Sequence, residues 1–568
     1  MTELRNKERI WFAAAALFAV VAIFTNLGSD GIYAAQEGRT ALICRNMLRS
    51  GDFFEMQVDY GIPYEKPIGH YWLCLPFAAA AGLGGDAMES AVEWGIRLPS
   101  ALCALLTVLL AGLLADRMYG RTAACVTMVV LPTMPLFDKL ARLGHIDMPL
   151  AASFMLAMYF LWVGYAETGR SNRKLYFFYA ALGWGALLKG PLVLILAGLV
   201  VAGLMAVRGR EGFAVLRDLR LFRGAAVFLA AALPWYCYES IRTDGAFFQE
   251  FIVNQNLRRF TGVGSTYRDG EFMPVWYYLP KLFAETLPWS GIAVIAAAAC
   301  RKRFFPPRFS EGTRFLLIWF GTGFVFFSLS ALKRGDYLLP IFPPLAILTA
   351  RGIVEGCRRL PAVPKGWRIG WGVFAGILAL AYAVNASGAI VKLGEMIVED
   401  RVPFGAKRDG MSMIMISNFL RERPAAVAAA ACAVLALAYA AGKLLEKRRY
   451  FPVFGMMAAV VLGAFLAYHL AIEPGTDSLK SVKGFARAAR DRIPPGAGVV
   501  YRGDFNTEMI YFVDRPYHTG DPRPEDRILI VSPKSAEELA CAAPGVWREL
   551  LRTPEDHQYP AVLLIRAE

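Results

Sequence analysis

The 568-residue sequence predicts an all-α polytopic membrane protein with a small α/β piece at its C-terminal end, and three observations predict it. Apolar stretches long enough to cross a bilayer recur through residue 472. Basic residues cluster in alternate connecting segments. From residue 473 onward the pattern changes to short, mixed strands and helices. Hydrophobic residues make up 56% and charged residues 19% of the chain, and the mean hydropathy is +0.40. A soluble domain carries about 25% charged residues. The composition excludes a disordered chain, a disulfide-stapled secreted scaffold and an ordinary cytosolic enzyme.

A bilayer core takes about 20 helical residues. Thirteen stretches serve: 10–28, 96–115, 122–137, 149–166, 175–188, 190–207, 224–241, 276–299, 315–331, 336–350, 369–391, 424–442 and 451–472. The first has a charged start like a signal peptide. Its apolar run is longer than a usual h-region and no clean A-x-A site follows, so it reads as a retained anchor. The fifth and sixth are separated only by Lys189-Gly190-Pro191 and are easily misread as one.

Topology follows from the basic residues, which favour the cytoplasmic side. With thirteen spans, Arg5/Lys7/Arg9, Arg117/Arg121, Arg170/Arg173/Lys174, the arginines of 208–223, the basic residues of 301–314 and of 351–368, and Lys443/Lys447/Arg448/Arg449 all fall on one side. The N-terminus is then cytoplasmic and the C-terminus periplasmic. The net charge of +14 thus reads as an orientation signal, and nucleic acid is not an expected partner. The first outer loop covers 29–95, with 40–49 as a short interfacial helix. The expected domains are a transmembrane domain over 1–472 and a periplasmic α/β domain over 473–568. In the latter, 478–492 reads as an amphipathic helix, and 499–501, 528–531 and 562–565 read as strands. Nine scattered cysteines without C-x-x-C spacing read as small core residues. There is no H-E-x-x-H, Walker loop or strand-linked G-x-G-x-x-G. Gly183 and Gly185 read as helix packing. His70 and His145 read as polar contacts, and neither a metal site nor a cofactor is expected.

The outer loops concentrate ionisable groups near span ends. Taken singly, a Lys or Arg there usually snorkels to headgroups and a Tyr or Trp belongs to the aromatic belt. Taken together, Lys139, Arg142, Lys189, Lys333 and Arg334 sit against the positive-inside bias, which calls for an anionic partner such as a lipid phosphate. Glu37 and Asp147 add carboxylates in two different outer loops, each a candidate general base. The ordinary alternative is that Glu37 pairs with Arg39 or Arg45 to hold its loop.

Several stretches resemble the aminoarabinose transferases and the protein-mannosyltransferase-like glycosyltransferases of GT-C fold. They are Glu37-Gly38-Arg39 with the run to Leu48, Ser50-Gly51-Asp52, Tyr64-Glu65-Lys66-Pro67 with Tyr71-Trp72, and Arg97-Leu98-Pro99-Ser100. Further on come Ala141-Arg142, Ile146-Asp147-Met148-Pro149-Leu150, Leu188-Lys189-Gly190-Pro191, Trp276 to Pro280, Leu287-Pro288-Trp289-Ser290 and Tyr337-Leu338-Leu339-Pro340. The resemblance covers about residues 10–350. It implies an inner-membrane enzyme that takes a sugar from a polyprenyl phosphate and gives it to an envelope acceptor. A lipid A-like glycolipid is the expected acceptor, with a protein as the alternative; a lipid-linked sugar flippase is the reading from another class. By the same resemblance Lys66 contacts the lipid phosphate, Asp147 lines the site, and Lys189 and Lys333 lie on the same face. Arg39 and Arg142 are further phosphate-binding candidates, and Glu65, Tyr64 and Tyr337 are neighbouring ones. Many members carry an Asp-Glu pair whose Asp is the proposed base. Here that position is Gln36, so either Glu37 or Asp147 takes the role or the acceptor needs little base help; Asp30, six residues upstream, is a lesser candidate.

Overall fold

Each of the thirteen apolar stretches is helical over most of its length in the computed structural model. The structure describes residues 2–29, 31–32, 35–56, 64–84, 91–167, 170, 172–209, 212–258, 261, 273–299, 309–331, 333–359, 367–398, 407–474, 481–502, 507–554 and 560–566. Among these, seven helices are long and apolar enough to cross a membrane, or nine if each of two bent pairs is one span. The chain is a multi-pass membrane protein. Its contacts divide it into two compact units, one of Met1–Gly28 with Thr40–Gly356, the other of Ser29–Arg39 with Cys357–Glu568.

In the first unit, helix Val92–Tyr119 packs on Arg121–Val130 and on Asp147–Leu161, which in turn packs on Leu175–Lys189. Lipid offers apolar side chains nothing that a neighbouring helix does not, so close packing rests on small residues that let backbones approach. Gly112 is such a point, since a Cβ there would lie 2.7 Å from Met128 Cγ. Gly183 is another: its Cβ would lie 2.6 Å from Ala231 Cβ on helix Leu221–Arg242. The packing expected of that glycine is thereby observed.

Two helix breaks set up the site. The stretch expected as one span over 122–137 bends by 72° between Arg121–Thr133 and Pro135–Ala141. Pro132 and Pro135 each lack the N–H that would continue the ladder. Helix Leu175–Lys189 stops at Gly190, which has φ +75°. A side chain at position 190 would meet that strain and would also press on Phe251, whose Cζ lies 2.6 Å from the Cβ position. Lys189-Gly190-Pro191 therefore separates two helices, and Lys189 is the last residue of the first.

In the second unit, helices Pro424–Glu446 and Tyr450–Ala467 leave most of their apolar surface exposed, as lipid-facing helices do. Ala389–Val398 lies against Lys407–Arg421 through Gly394 and Gly410. The tail is α/β. Its strands are β1 (Val499–Arg502), β2 (Tyr517–Thr519), β3 (Ile528–Val531), β4 (Trp547–Arg552) and β5 (Val562–Arg566), in the sheet order β2-β1-β3-β5-β4. The pairs β1–β2 and β1–β3 are parallel; β3–β5 and β4–β5 are antiparallel. Central β3 reads Ile-Leu-Ile-Val and is buried throughout, the pattern of a strand covered on both faces. The helix expected over 478–492 is Lys483–Arg492, with Ala486 and Ala489 buried. The three expected strands are present, and β2 and β4 add the two edges.

Candidate active site

The charges singled out in the sequence gather at the ends of buried helices. Asp147 opens helix Asp147–Leu161, where the carboxylate faces the positive end of the helix dipole. Its side chain is 5% exposed, yet two groups satisfy it. His145 Nδ1 lies 2.6 Å from Oδ2, and the Lys189 ammonium donates to Oδ1. Gly144 lets this turn close on helix Val92–Tyr119, because a Cβ there would sit 2.9 Å from the Ile96 carbonyl oxygen. Ser100 Oγ donates to the His145 carbonyl at 3.3 Å and holds the turn from the same helix.

Lys189 also lies 4.9 Å from the Tyr337 ring centroid, a cation–π contact. Tyr337 belongs to the 3-10 segment Gly335–Ile341. The same segment carries Asp336, 3.3 Å from Arg334, whose backbone N–H donates to Tyr278 Oη at 3.0 Å. His145, Asp147 and Asp336 each present a ligand atom within 4.8 Å of the others. Lys189 and Arg334 already neutralise the two acids, so a bound cation would have to displace them.

Beside this cluster lies an apolar cavity of about 500 Å³. Leu192, Ile195, Phe251, Phe326 and Phe327 form apolar wall, while Glu65, Lys66, Lys189, Gln255, Asn256 and Tyr337 supply the polar lining. Lys66 Nζ is 3.1 Å from Glu65 Oε1. Tyr64, just before them, has φ +59°, and its ring meets Phe247 edge-on at 6.3 Å. Backbone held in this region by a non-glycine residue costs on the order of 1–3 kcal/mol and clusters at functional sites. An apolar groove ending in ammonium groups has the chemistry to take a lipid chain with its phosphate.

Other candidates are elsewhere. Arg142 is buried and donates to the Ile23 carbonyl at 3.2 Å. Lys333 is buried and donates to the Ser330 and Met273 carbonyls at 2.6 and 3.0 Å, and burial pushes its pKa down. Neither lines the cavity. Glu37 and Arg39 belong to the second unit, in the first turns of helix Ala35–Ser50; Glu37 is fully buried and Arg39 half-buried. Asp30, six residues before Gln36, lies outside the described residues. The polar lining from Gln255 and Asn256 was not anticipated. They sit on the π-helical segment Phe248–Arg258, and the only sequence signal for them is a run of amides between apolar residues.

A family model for dolichyl-phosphate-mannose-protein mannosyltransferases matches residues 66–238, which contain Lys66, Asp147 and Lys189. Across 99% of this chain and 98% of the other, the fold superposes on the apo crystal structure of ArnT from Cupriavidus metallidurans with a TM-score of 0.75 at 22% identity. The chain has the fold of that transferase. The same Cupriavidus protein bound to undecaprenyl phosphate gives a TM-score of 0.74 at 23% identity, covering 98% of this chain and 97% of that one. In sequence, the chain is 32% identical over 338 residues to an undecaprenyl phosphate-alpha-4-amino-4-deoxy-L-arabinose arabinosyl transferase of Pseudomonas fluorescens. That match takes in 58% of this chain and only 54% of the relative, so the chain spans about half the length of the curated relative it matches. The GT-C fold implied by the sequence motifs is thus borne out over nearly the whole chain.

Proposed function

We propose that this aminoarabinose-transferase-like chain is a membrane glycosyltransferase that moves a sugar from a polyprenyl phosphate to an envelope acceptor, a lipid A-like glycolipid, on the outer face of the inner membrane. The observation that carries the reading is the Lys189–Asp147 pair beside the apolar cavity that Lys66 and Tyr337 also line. The polyprenyl chain occupies the apolar wall and its phosphate meets Lys66 and Lys189. The acceptor oxygen attacks the anomeric carbon. The bond from that carbon to the phosphate oxygen breaks, and its electron pair leaves on the phosphate, where the ammonium groups stabilise it. A hydroxyl acceptor gives its proton to a carboxylate, Asp147 or Glu37. A phosphate acceptor arrives ionised and needs no base, which accords with glutamine at position 36. A protein acceptor is the second reading, favoured by the mannosyltransferase family match.

The reading includes thirteen spans, a cytoplasmic N-terminus and a periplasmic domain over 473–568. Transfer in proteoliposomes from undecaprenyl-phosphate aminoarabinose to lipid A tests it, together with mass spectrometry of envelope lipids from a deletion strain. Transfer to lipid A and loss of the modified lipid in the strain are expected. Transfer to protein alone supports the second reading, and transfer to neither overturns both. A thiol label on Asp491→Cys in a cysteine-free background, reachable only from the cytoplasm, would defeat the topology. Asp491 is well exposed, with its side chain at 73%.

A further inference from the structure

Glu508 lies in the tail, in helix Thr507–Val513, and is fully buried. A carboxylate is seldom buried unless it is well partnered. Its Oε1 accepts from the Ile32 backbone N–H at 3.0 Å and from Ser481 Oγ at 2.6 Å, and its Oε2 accepts from the Val482 N–H at 3.0 Å. Two of these donors belong to the tail. The third comes from the other end of the chain, 476 residues away, five positions before Glu37.

Two glycines bring that segment against the tail. A Cβ on Gly31 would lie 2.1 Å from Ser481 Oγ and 2.9 Å from Glu508 Oε1. A Cβ on Gly38 would lie 2.1 Å from Thr507 Oγ1 and 2.9 Å from the Glu508 backbone nitrogen. Glu508 therefore touches the segment on both sides of Glu37, with its carboxylate at Ile32 and its backbone at Gly38. Ser481 and Val482 tie the carboxylate to the tail, and the Ile32 N–H ties it to the segment before Glu37. We infer that Glu508 is a positioning residue for Glu37: the tail clamps the start of the first outer loop and so sets where the Glu37 carboxylate stands. The inference rests on the reading of Glu37 as an acid of the transfer reaction.

The mechanism of the clamp is plain hydrogen-bond chemistry. A carboxylate offers only acceptors, and here donors converge on both of its oxygens. Glu508→Gln keeps the shape but turns an NH2 toward one of those donors, so one contact becomes a donor–donor clash. A displacement of about 1 Å at a reacting group costs on the order of 100-fold in rate.

The test combines hydrogen–deuterium exchange with steady-state transfer from undecaprenyl-phosphate aminoarabinose, using the full chain in proteoliposomes. Glu508→Gln is expected to speed exchange over residues 29–39 and to lower kcat by about 10- to 100-fold. The donor KM and the protection of β1 and β3 should stay as in the parent protein. Gly38→Ala, which leaves Glu508 intact, is expected to lower kcat in the same way, and it serves as the test if Glu508→Gln disturbs the tail sheet. Parent-like exchange over 29–39 in Glu508→Gln overturns the clamp. So does parent-like kcat in the variants when Glu37→Gln is impaired. A Glu37→Gln protein with full turnover overturns the reading of Glu37 instead, and the clamp then stands or falls on the exchange alone.

Discussion

The Lys189 ammonium, at the C-terminal end of one helix, donates to the Asp147 carboxylate at the N-terminal end of another, 42 residues earlier in the chain. Each charge suits the dipole of its own helix as well as its partner. The pair is mostly buried, with side chains 15% and 5% exposed. Removing one member of a buried pair costs about 3–5 kcal/mol, less here where His145 still holds Asp147, whereas replacing both costs far less. Lys189→Met is therefore expected to lower the thermal midpoint more than the double variant Asp147→Asn/Lys189→Met does. Equal midpoints would mean that the pair is solvated.

For turnover, Asp147→Asn keeps the shape and removes the charge. Loss of a general base costs about 10²–10⁴-fold in rate. The expected result is a fall in kcat of that order with donor binding little changed, read by single-turnover transfer and by undecaprenyl phosphate binding. Full turnover would shift the role of base to Glu37 or to an acceptor already ionised.

Lys66 lines the cavity with Glu65 as its neighbour. On the proposed function, Lys66→Ala is expected to remove a charge-assisted contact to the donor phosphate worth about 1.5–3 kcal/mol, or roughly 10- to 150-fold in donor affinity. Lys66→Arg restores the charge with different geometry and is expected to recover part of the loss. Parent-like donor affinity in Lys66→Ala would remove Lys66 from the site.

Position 36 tests the departure from the family pattern. Gln36→Asp is expected to retain transfer, and to accelerate it where acceptor deprotonation limits the rate. Loss of activity in a folded Gln36→Asp protein would show that the amide itself is required.

His70 gives a pH dependence. Burial, with the neighbouring His145 imidazole adding to it, pushes its pKa down to about 4. An unfolded histidine takes its proton near 6.5. The folded protein refuses that proton until pH 4, so stability from this group is complete above pH 6.5 and is lost as the pH falls toward 4. His70→Phe is therefore expected to lose less thermal stability than the parent between pH 7 and pH 5. Equal losses would show that the imidazole is freely hydrated.

Much of this architecture was legible because hydrophobic periodicity and charge placement are local. The thirteen apolar stretches mark helices, and Asp147 and Lys189 stand out as charges at the edges of apolar runs. Their pairing was not legible, since nothing in sequence spacing joins residues 42 positions apart. Arg142 and Lys333 illustrate the opposite limit. Both have the residue type and loop position of a phosphate ligand, but each donates to backbone carbonyls, and the local pattern does not record which acceptors lie nearby. Hydropathy also passes over a bend, so 122–137 reads as one span although its prolines break it. The edge strands β2 and β4 are short or largely exposed and carry little periodic signal.

The contact between Ile32 and Glu508 also has a meaning in time. The segment before Glu37 leaves the ribosome early, while the carboxylate that receives its amide is made 476 residues later. At about 5–20 residues per second, synthesis of that interval takes roughly 25–95 s. Throughout it, the nascent chain lacks the carboxylate that receives the Ile32 amide. A chain truncated before residue 508 would never receive that carboxylate, so this contact forms only when translation is nearly complete.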